Sequence, residues 1–327
     1  AVETRQASVA IPDPYAADVA EEILRRGGNA VDAAIATGFA MAVTYIDAGN
    51  IGGGGFMLIH QDGESAFVDY RERAPLAADR DMYLDEDGNA VSELSRFSHL
   101  AAGVPGTVAG LYEAHERFGR LPWKRLLEPA IRQAREGVVV SYDLAGLLKA
   151  RQQRMCRSEA TCRYFYKKDG TPYAHGDLFV QRDLAKTLER IAQHGPDGFY
   201  KGKTARLIAA EMERGGGLVD EISLARYRPV LREPVMGSYR GYDINDLIGK
   251  PFLHVAWLVM FGEWPSTQDR SRLVAFMTRH SRLTFEETDL LQHISRALHP
   301  MLMLQGLVPL LHMPEEETRG RGMDAET

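Results

Sequence analysis

"DAGNIGGGGFMLIH", residues 47–60, sets four consecutive glycines, Gly52, Gly53, Gly54 and Gly55, directly against an apolar run that reads as a strand. Glycine loses more backbone entropy on folding than any other residue. Four of them beside a strand that must pack imply one of two things. Either the backbone adopts torsions closed to other residues, or something approaches it too closely for a Cβ. The bland version of either is a tight turn. The functional version is bare backbone lining a cleft.

Working outward, "FMLIH" (56–60) and "SAFVDY" (65–70) flank "QDGE" and predict a β-hairpin with a glycine turn. Upstream, residues 14–25 carry one apolar face and end at "RRGGN", a glycine stop. Asn29 then reads as the N-cap of "AVDAAIATGFAMAV", a helix apolar on nearly every side and therefore buried on nearly every side. Downstream, "MYLDEDGNAV" turns at Asp87–Gly88. "LAAGVPGTVAGLYEAHERFG" is a loop opening a helix, in which Pro105 and Gly106 shape the loop. "LPWKRLLEPAIRQAREG", "DLAKTLERIAQHGPDGFY" and "KTARLIAAEMERGGG" read as helices, and "YRPVLREPVMGSYRGYDI" as a strand or hairpin. Beyond Ile244 the texture becomes apolar and His-rich, with helical expectations and a loose charged tail.

A net charge of −6 gives no basic footprint for nucleic acid. The longest clean apolar run, Phe252 to Phe261, is half the ~20 residues a spanning helix needs. The run from Leu302 to Met313 is broken by Gly306 and Pro309. No membrane span is therefore expected. No signal peptide is visible, and a cleaved leader would leave no trace. The two cysteines, Cys156 and Cys162, could form one local bridge but neither a disulfide framework nor a zinc site. The glycine run fails G-x-G-x-x-G and precedes a strand, which argues against a dinucleotide site. "HERFG" from His115 lacks the second histidine of H-E-x-x-H, leaving His115 as a helix-surface residue and no metal site. No phosphate-binding G-x-x-x-x-G-K-[ST] and no G-x-S-x-G elbow is present.

"GGNAVDAAIA" (27–36), "DAGNIGGGGFMLIH" (47–60), "DYRERAPLAADRDMYLD" (69–85), "SHLAAGVPGTVAGLYEAHERFGRLPW" (98–123), "GPDGFYKG" (195–202) and "REPVMGSYRGYDI" (232–244) resemble the γ-glutamyltransferases, or glutathione hydrolases. The resemblance runs in order over about residues 8–244. It implies the large-subunit part of an N-terminal-nucleophile hydrolase: an α/β (α+β), helix-rich and incomplete αββα sandwich. In that family a precursor cuts itself, and the new N-terminal threonine of the small subunit is the nucleophile, with its own amine as base. The resemblance implies no metal and no organic cofactor. Its partners would be a glutathione-like γ-glutamyl donor and the small subunit, in a periplasmic or secreted setting.

Arg71, in "YRERAP", matches the family arginine that grips the donor's α-carboxylate, a task suited to a planar guanidinium. The alternative is a surface arginine paired with Glu72 or Asp69. Arg73 is the neighbour that could be confused with it. Gly52–Gly55 are expected to be structural, at the edge of the cleft. From Asn245 onward the family pattern stops, which divides the chain into 1–244, large-subunit-like, and 245–327, a divergent and largely helical extension. No catalytic residue is expected within these residues, so the chain alone is expected to be inactive. Two other readings stay open: a non-catalytic remnant or interaction protein, and a relative cleaving other acyl amides.

Overall fold

A computed structural model describes residues 7–235, 238–239, 242–243, 250 and 252–280. The chain divides into two compact units, Ala1–Pro234 and Val235–Thr327.

In the first unit, α1 (Pro14–Arg25) starts at Asp13, whose carboxylate accepts from the Ala16 amide, and stops at Gly27, with φ at 88°. Helix α2 (Ala30–Thr44) opens with the expected Asn29 cap, completed as a capping box by Asp32. It packs against α1, α4 (Thr107–Phe118) and α5 (Trp123–Glu136), and is buried along almost its whole length. The fully buried Asp32 carboxylate also accepts from the amides of Arg120 and Leu121, so its charge is satisfied by main-chain donors that pin the α4–α5 connection to α2. At the centre of this layer Phe39 meets Trp123 edge-on at 5.5 Å.

The hairpin forms as its sequence demands. Strand β1 (Phe56–Gln61) pairs antiparallel with β2 (Glu64–Asp69), and the turn residues Asp62 and Gly63 both take positive φ. Along the chain after the hairpin, and besides α4 and α5, come α3 (Ser92–Phe97), β3 (Val138–Val139), α6 (Tyr142–Met155), α7 (Glu159–Phe165) and β4 (Leu178–Phe179). Helices α8 (Arg182–His194), α9 (Asp197–Tyr200), α10 (Gly202–Gly215) and α11 (Glu221–Arg226) follow, and β5 (Val230–Arg232) returns to pair with β2. The sheet order is β1-β2-β5, and β3 pairs with β4. One face of the sheet, carrying Ile59 and Val68, is buried in the core that α4 shares.

The second unit contributes the hairpin β6 (Ser238–Tyr239) and β7 (Tyr242–Asp243), then α12 (Phe252–Phe261) and α13 (Thr267–His280), which pack on each other. Trp257 and Leu258 on α12 are buried. Among the described residues no helix is long and apolar enough to cross a membrane. The break at Asn245 and the expectations for residues 281–327 lie outside the described residues.

Candidate active cleft

The glycine run answers its own question through contact, because none of Gly52–Gly55 has a positive φ. A Cβ on Gly54 would lie 2.4 Å from the Tyr70 carbonyl oxygen and 2.9 Å from the Arg71 Cα. The ribbon therefore runs flush against the chain that carries Arg71. Gly55 and Tyr70 exchange main-chain hydrogen bonds and extend the hairpin ladder past its last assigned pair. The Gly53 carbonyl accepts from the amides of Gly106 and Thr107 at 2.7 and 3.0 Å, capping α4, which has no side-chain cap. Gly106 is bare for the same reason: a Cβ there would sit 2.0 Å from the Tyr70 carbonyl oxygen. Gly52 stands apart from this packing, since a Cβ there would meet only the Asn50 side-chain oxygen, at 3.9 Å.

Arg71 is held by its backbone and exposed at its tip, where only weak contacts hold the guanidinium. Its amide donates to the Asp69 carboxylate at 3.1 Å, and its carbonyl accepts from the Tyr227 hydroxyl at 2.8 Å. The guanidinium is 61% exposed, with Nε 3.3 Å from Glu72 and the group 5.8 Å from the Phe56 ring centre. The pairing with Glu72 is thus present, on an exposed rim where it contributes little. The Asp69 carboxylate is committed elsewhere: the Arg232 guanidinium, then the Arg71 amide, hold it below the ordinary carboxylate range. Arg73 is distinct from Arg71. Its backbone bridges Val104, and its guanidinium lies over the Tyr227 ring.

The hydroxyls behind this segment are structural. Tyr200 donates to the Pro105 carbonyl at 2.8 Å, and its ring stacks on Tyr227 at 5.7 Å. Burial pushes the Tyr227 hydroxyl up to about 12 and raises that of Tyr200 as well, so neither serves as a base at neutral pH. His115 corrects its expected place on the helix surface. Its side chain is 13% exposed, packed on Tyr112 and Trp123, with Nε2 2.8 Å from the Leu121 carbonyl oxygen. Cys156 and Cys162 are bridged, tying the end of α6 to α7. Two concavities border the ribbon at Ile51 and Gly52, and Arg71 lines neither.

Sequence reasoning passed over α6, α7 and the larger of these concavities. Two serine caps were the available signal: Ser141 accepts from the Leu144 amide and Ser158 from the Thr161 amide.

A family model for gamma-glutamyltranspeptidase matches residues 16–251. The chain belongs to the gamma-glutamyltranspeptidase family. It is 47% identical over 247 residues to the glutathione hydrolase proenzyme of Escherichia coli, covering 75% of this chain and 43% of that protein. The corresponding proenzyme of Pseudomonas aeruginosa is 51% identical over 238 residues, covering 72% and 41%. The crystal structure of Helicobacter pylori gamma-glutamyltranspeptidase superposes with a TM-score of 0.73 at 45% identity, over 75% of this chain and 70% of that one. The fold is accordingly that of the N-terminal-nucleophile hydrolases, helix-rich with small sheets. The chain spans about two-fifths of the length of the curated relatives it matches. A second family model, for the C-terminal domain of citrate synthase, matches residues 231–327 and overlaps the first at 231–251.

Proposed function

We propose that residues 1–244 are the large-subunit domain of a γ-glutamyl-transferring or glutathione-hydrolysing enzyme. In this reading Arg71 receives the α-carboxylate of the γ-glutamyl donor. A polypeptide outside these 327 residues supplies the threonine that forms the acyl-enzyme. The observation that carries the reading is the mounting of Arg71. Its main chain is fixed by Asp69, Tyr227 and the Gly54 contact, while its exposed guanidinium carries only the weak Glu72 pair and the Phe56 ring contact. That suits a carboxylate clamp: the main-chain part of the ordering cost is met before the ligand arrives. A carboxylate would displace the weak contact with Glu72 and accept two parallel hydrogen bonds.

The nucleophile needs a neighbour. The outer face of the sheet, with Phe56 54% and Leu58 67% exposed, is an apolar surface of the kind a second polypeptide covers. The proenzyme names of the relatives fit a precursor that is processed. A periplasmic or secreted location follows the same kinship.

The test is hydrolysis of γ-glutamyl-p-nitroanilide by the purified chain, alone and with the small-subunit polypeptide of a close relative. Activity only on reconstitution, with Arg71→Ala raising KM on the order of a hundredfold at little change in kcat, is the expected result. Arg71→Lys should recover only part, because a lysine cannot form the two-pronged contact. A second reading, a scaffold that has lost the reaction, is favoured by the citrate-synthase-like match of residues 231–327. Absence of turnover under both conditions would establish it over the first.

A further inference from the structure

We infer that the cavity between the Gly49–Gly52 ribbon, α7 and the start of α8 is a binding site for a compact polyanion, separate from Arg71. Its volume is about 710 Å³, within the range of small-ligand sites. Three cationic side chains line it, Arg163, Lys168 and Arg182, against one carboxylate, Asp183. That carboxylate is already engaged. It accepts from Lys186 at 3.1 Å and from the Tyr164 hydroxyl at 3.4 Å, and the Lys186 ammonium, foremost, holds it in the charged form. Asp183 is shared between Lys186 and, more weakly, Arg163, which leaves Lys168 and Arg182 as the two cations of the wall without a carboxylate partner.

Arg163, Lys168 and Arg182 are all exposed at the mouth of the cavity, where their charged ends are open to a ligand. Arg182 is the first residue of α8, where the positive end of the helix dipole disfavours a cation. No side-chain partner of Arg182 or Lys168 is found among the described residues. Arg163 rests over the Tyr164 ring at 5.0 Å and donates to its hydroxyl, which spends no charge. An anion seated among the three cations would accept from their donors in charge-assisted hydrogen bonds. Gly49, Asn50, Ile51 and Gly52 of the ribbon complete the lining. The Cys156–Cys162 bridge fixes the residue preceding Arg163 to the end of α6, so one side of the site is braced covalently.

The shared chemistry is two or more clustered negative charges, from carboxylates or phosphates. Isothermal titration of the full 327-residue chain at low ionic strength, with triglutamate in one arm and inorganic pyrophosphate in the other, tests it. We expect saturable one-to-one binding in at least one arm, and the tighter arm identifies the kind of anion. Arg182→Ala and Lys168→Ala should each weaken it about tenfold. Arg182→Gln should weaken it similarly, and Arg71→Ala should leave it unchanged. The double substitution Cys156→Ser, Cys162→Ser should weaken it with the helical circular dichroism retained. Absence of saturable binding in both arms by the folded chain would overturn the assignment. So would binding that survives both Arg182→Ala and Lys168→Ala, or that is lost in Arg71→Ala. None of these outcomes depends on γ-glutamyl chemistry.

Discussion

The two faces of the β1–β2–β5 sheet are made by the same three strands and have opposite environments. Inward, Ile59 and Val68 are buried, and the chain beyond β2 lies against α4 so closely that a Cβ on Gly110 would fall 2.1 Å from the Tyr70 ring. Outward, Phe56 stacks on Phe67 at 5.3 Å, Leu58 is exposed, and the polar rim is the Asp69–Arg232 pair. Strand alternation produces this split, since residues paired across a ladder share a face: Phe56 with Asp69, Leu58 with Phe67, His60 with Ser65. The inner face is covered within this unit at Ile59 and Val68, and Leu231 on β5, paired with Val68, remains exposed. The outer face carries the apolar content of a core and the exposure of a surface, and Arg71 projects from its edge. Packing thus fixes the main chain around Arg71 from within, while its guanidinium stands at the exposed edge.

The sharpest way to break this contrast is to add one methyl group on the inner side. Gly54→Ala would drive a Cβ into the main chain of Tyr70–Glu72, which no rotamer change relieves. A loss of about 3 kcal/mol or more is expected, read as a fall of the thermal midpoint by roughly 6–12 °C. Gly52→Ala, two residues earlier with open space around it, should stay within about 0.5 kcal/mol. Equal effects at both positions would show that the run is glycine-rich for flexibility and not for close approach.

A smaller effect separates the faces directly. Val68→Ala, fully buried, should cost about 1–2 kcal/mol in denaturant midpoint. Leu58→Ser, on the outer face, should change stability by less than about 0.5 kcal/mol, yet abolish γ-glutamyl turnover on reconstitution. If Leu58→Ser destabilised the isolated chain as much as Val68→Ala, the outer face would be covered within this chain and the need for a second polypeptide would lapse.

Much of this geometry is legible in the sequence. Asn29 reads as an N-cap, "QDGE" as a hairpin turn, and the even apolarity of the following helix as burial; all three form, and the structure adds Asp32 as the reciprocal partner of the cap. Each is local, set by residues within a few positions of one another. What stays illegible depends on distant partners. The glycines pose two alternatives that only the juxtaposition of Gly54 with Tyr70, and of Gly106 with Tyr227, resolves. His115 departs from its expected surface position because the groove that receives it is built from Trp123 and the Leu121 carbonyl on the following turn. The cationic cavity has no sequence signature because its walls come from residues 42–52 and 163–184, segments with no shared pattern. Arg71 stands out through kinship; spacing alone leaves it as a partner of Glu72, a contact the structure does contain.

The mildest expected effect tests the rim of the outer face by pH. The Asp69 carboxylate lies below its ordinary value of 3.8 because Arg232 and the Arg71 amide favour the charged form. A depressed carboxylate contributes stability above its unfolded value, and that contribution disappears as pH falls through the folded value. The pair is partly exposed, so its worth is small, on the order of 0.5–1 kcal/mol. Asp69→Asn should therefore be less stable than the parent by that amount at neutral pH, with the gap narrowing below about pH 5 and closing under strong acid. Val68→Ala should show a constant deficit over the same range, because no proton is involved in a cavity. Chemical-shift titration of the Asp69 carboxyl carbon locates the group responsible. A gap that stayed flat into acid would mean that Arg232 does not hold Asp69 in solution, and that the Arg71 amide is positioned by the glycine ribbon and Tyr227 alone.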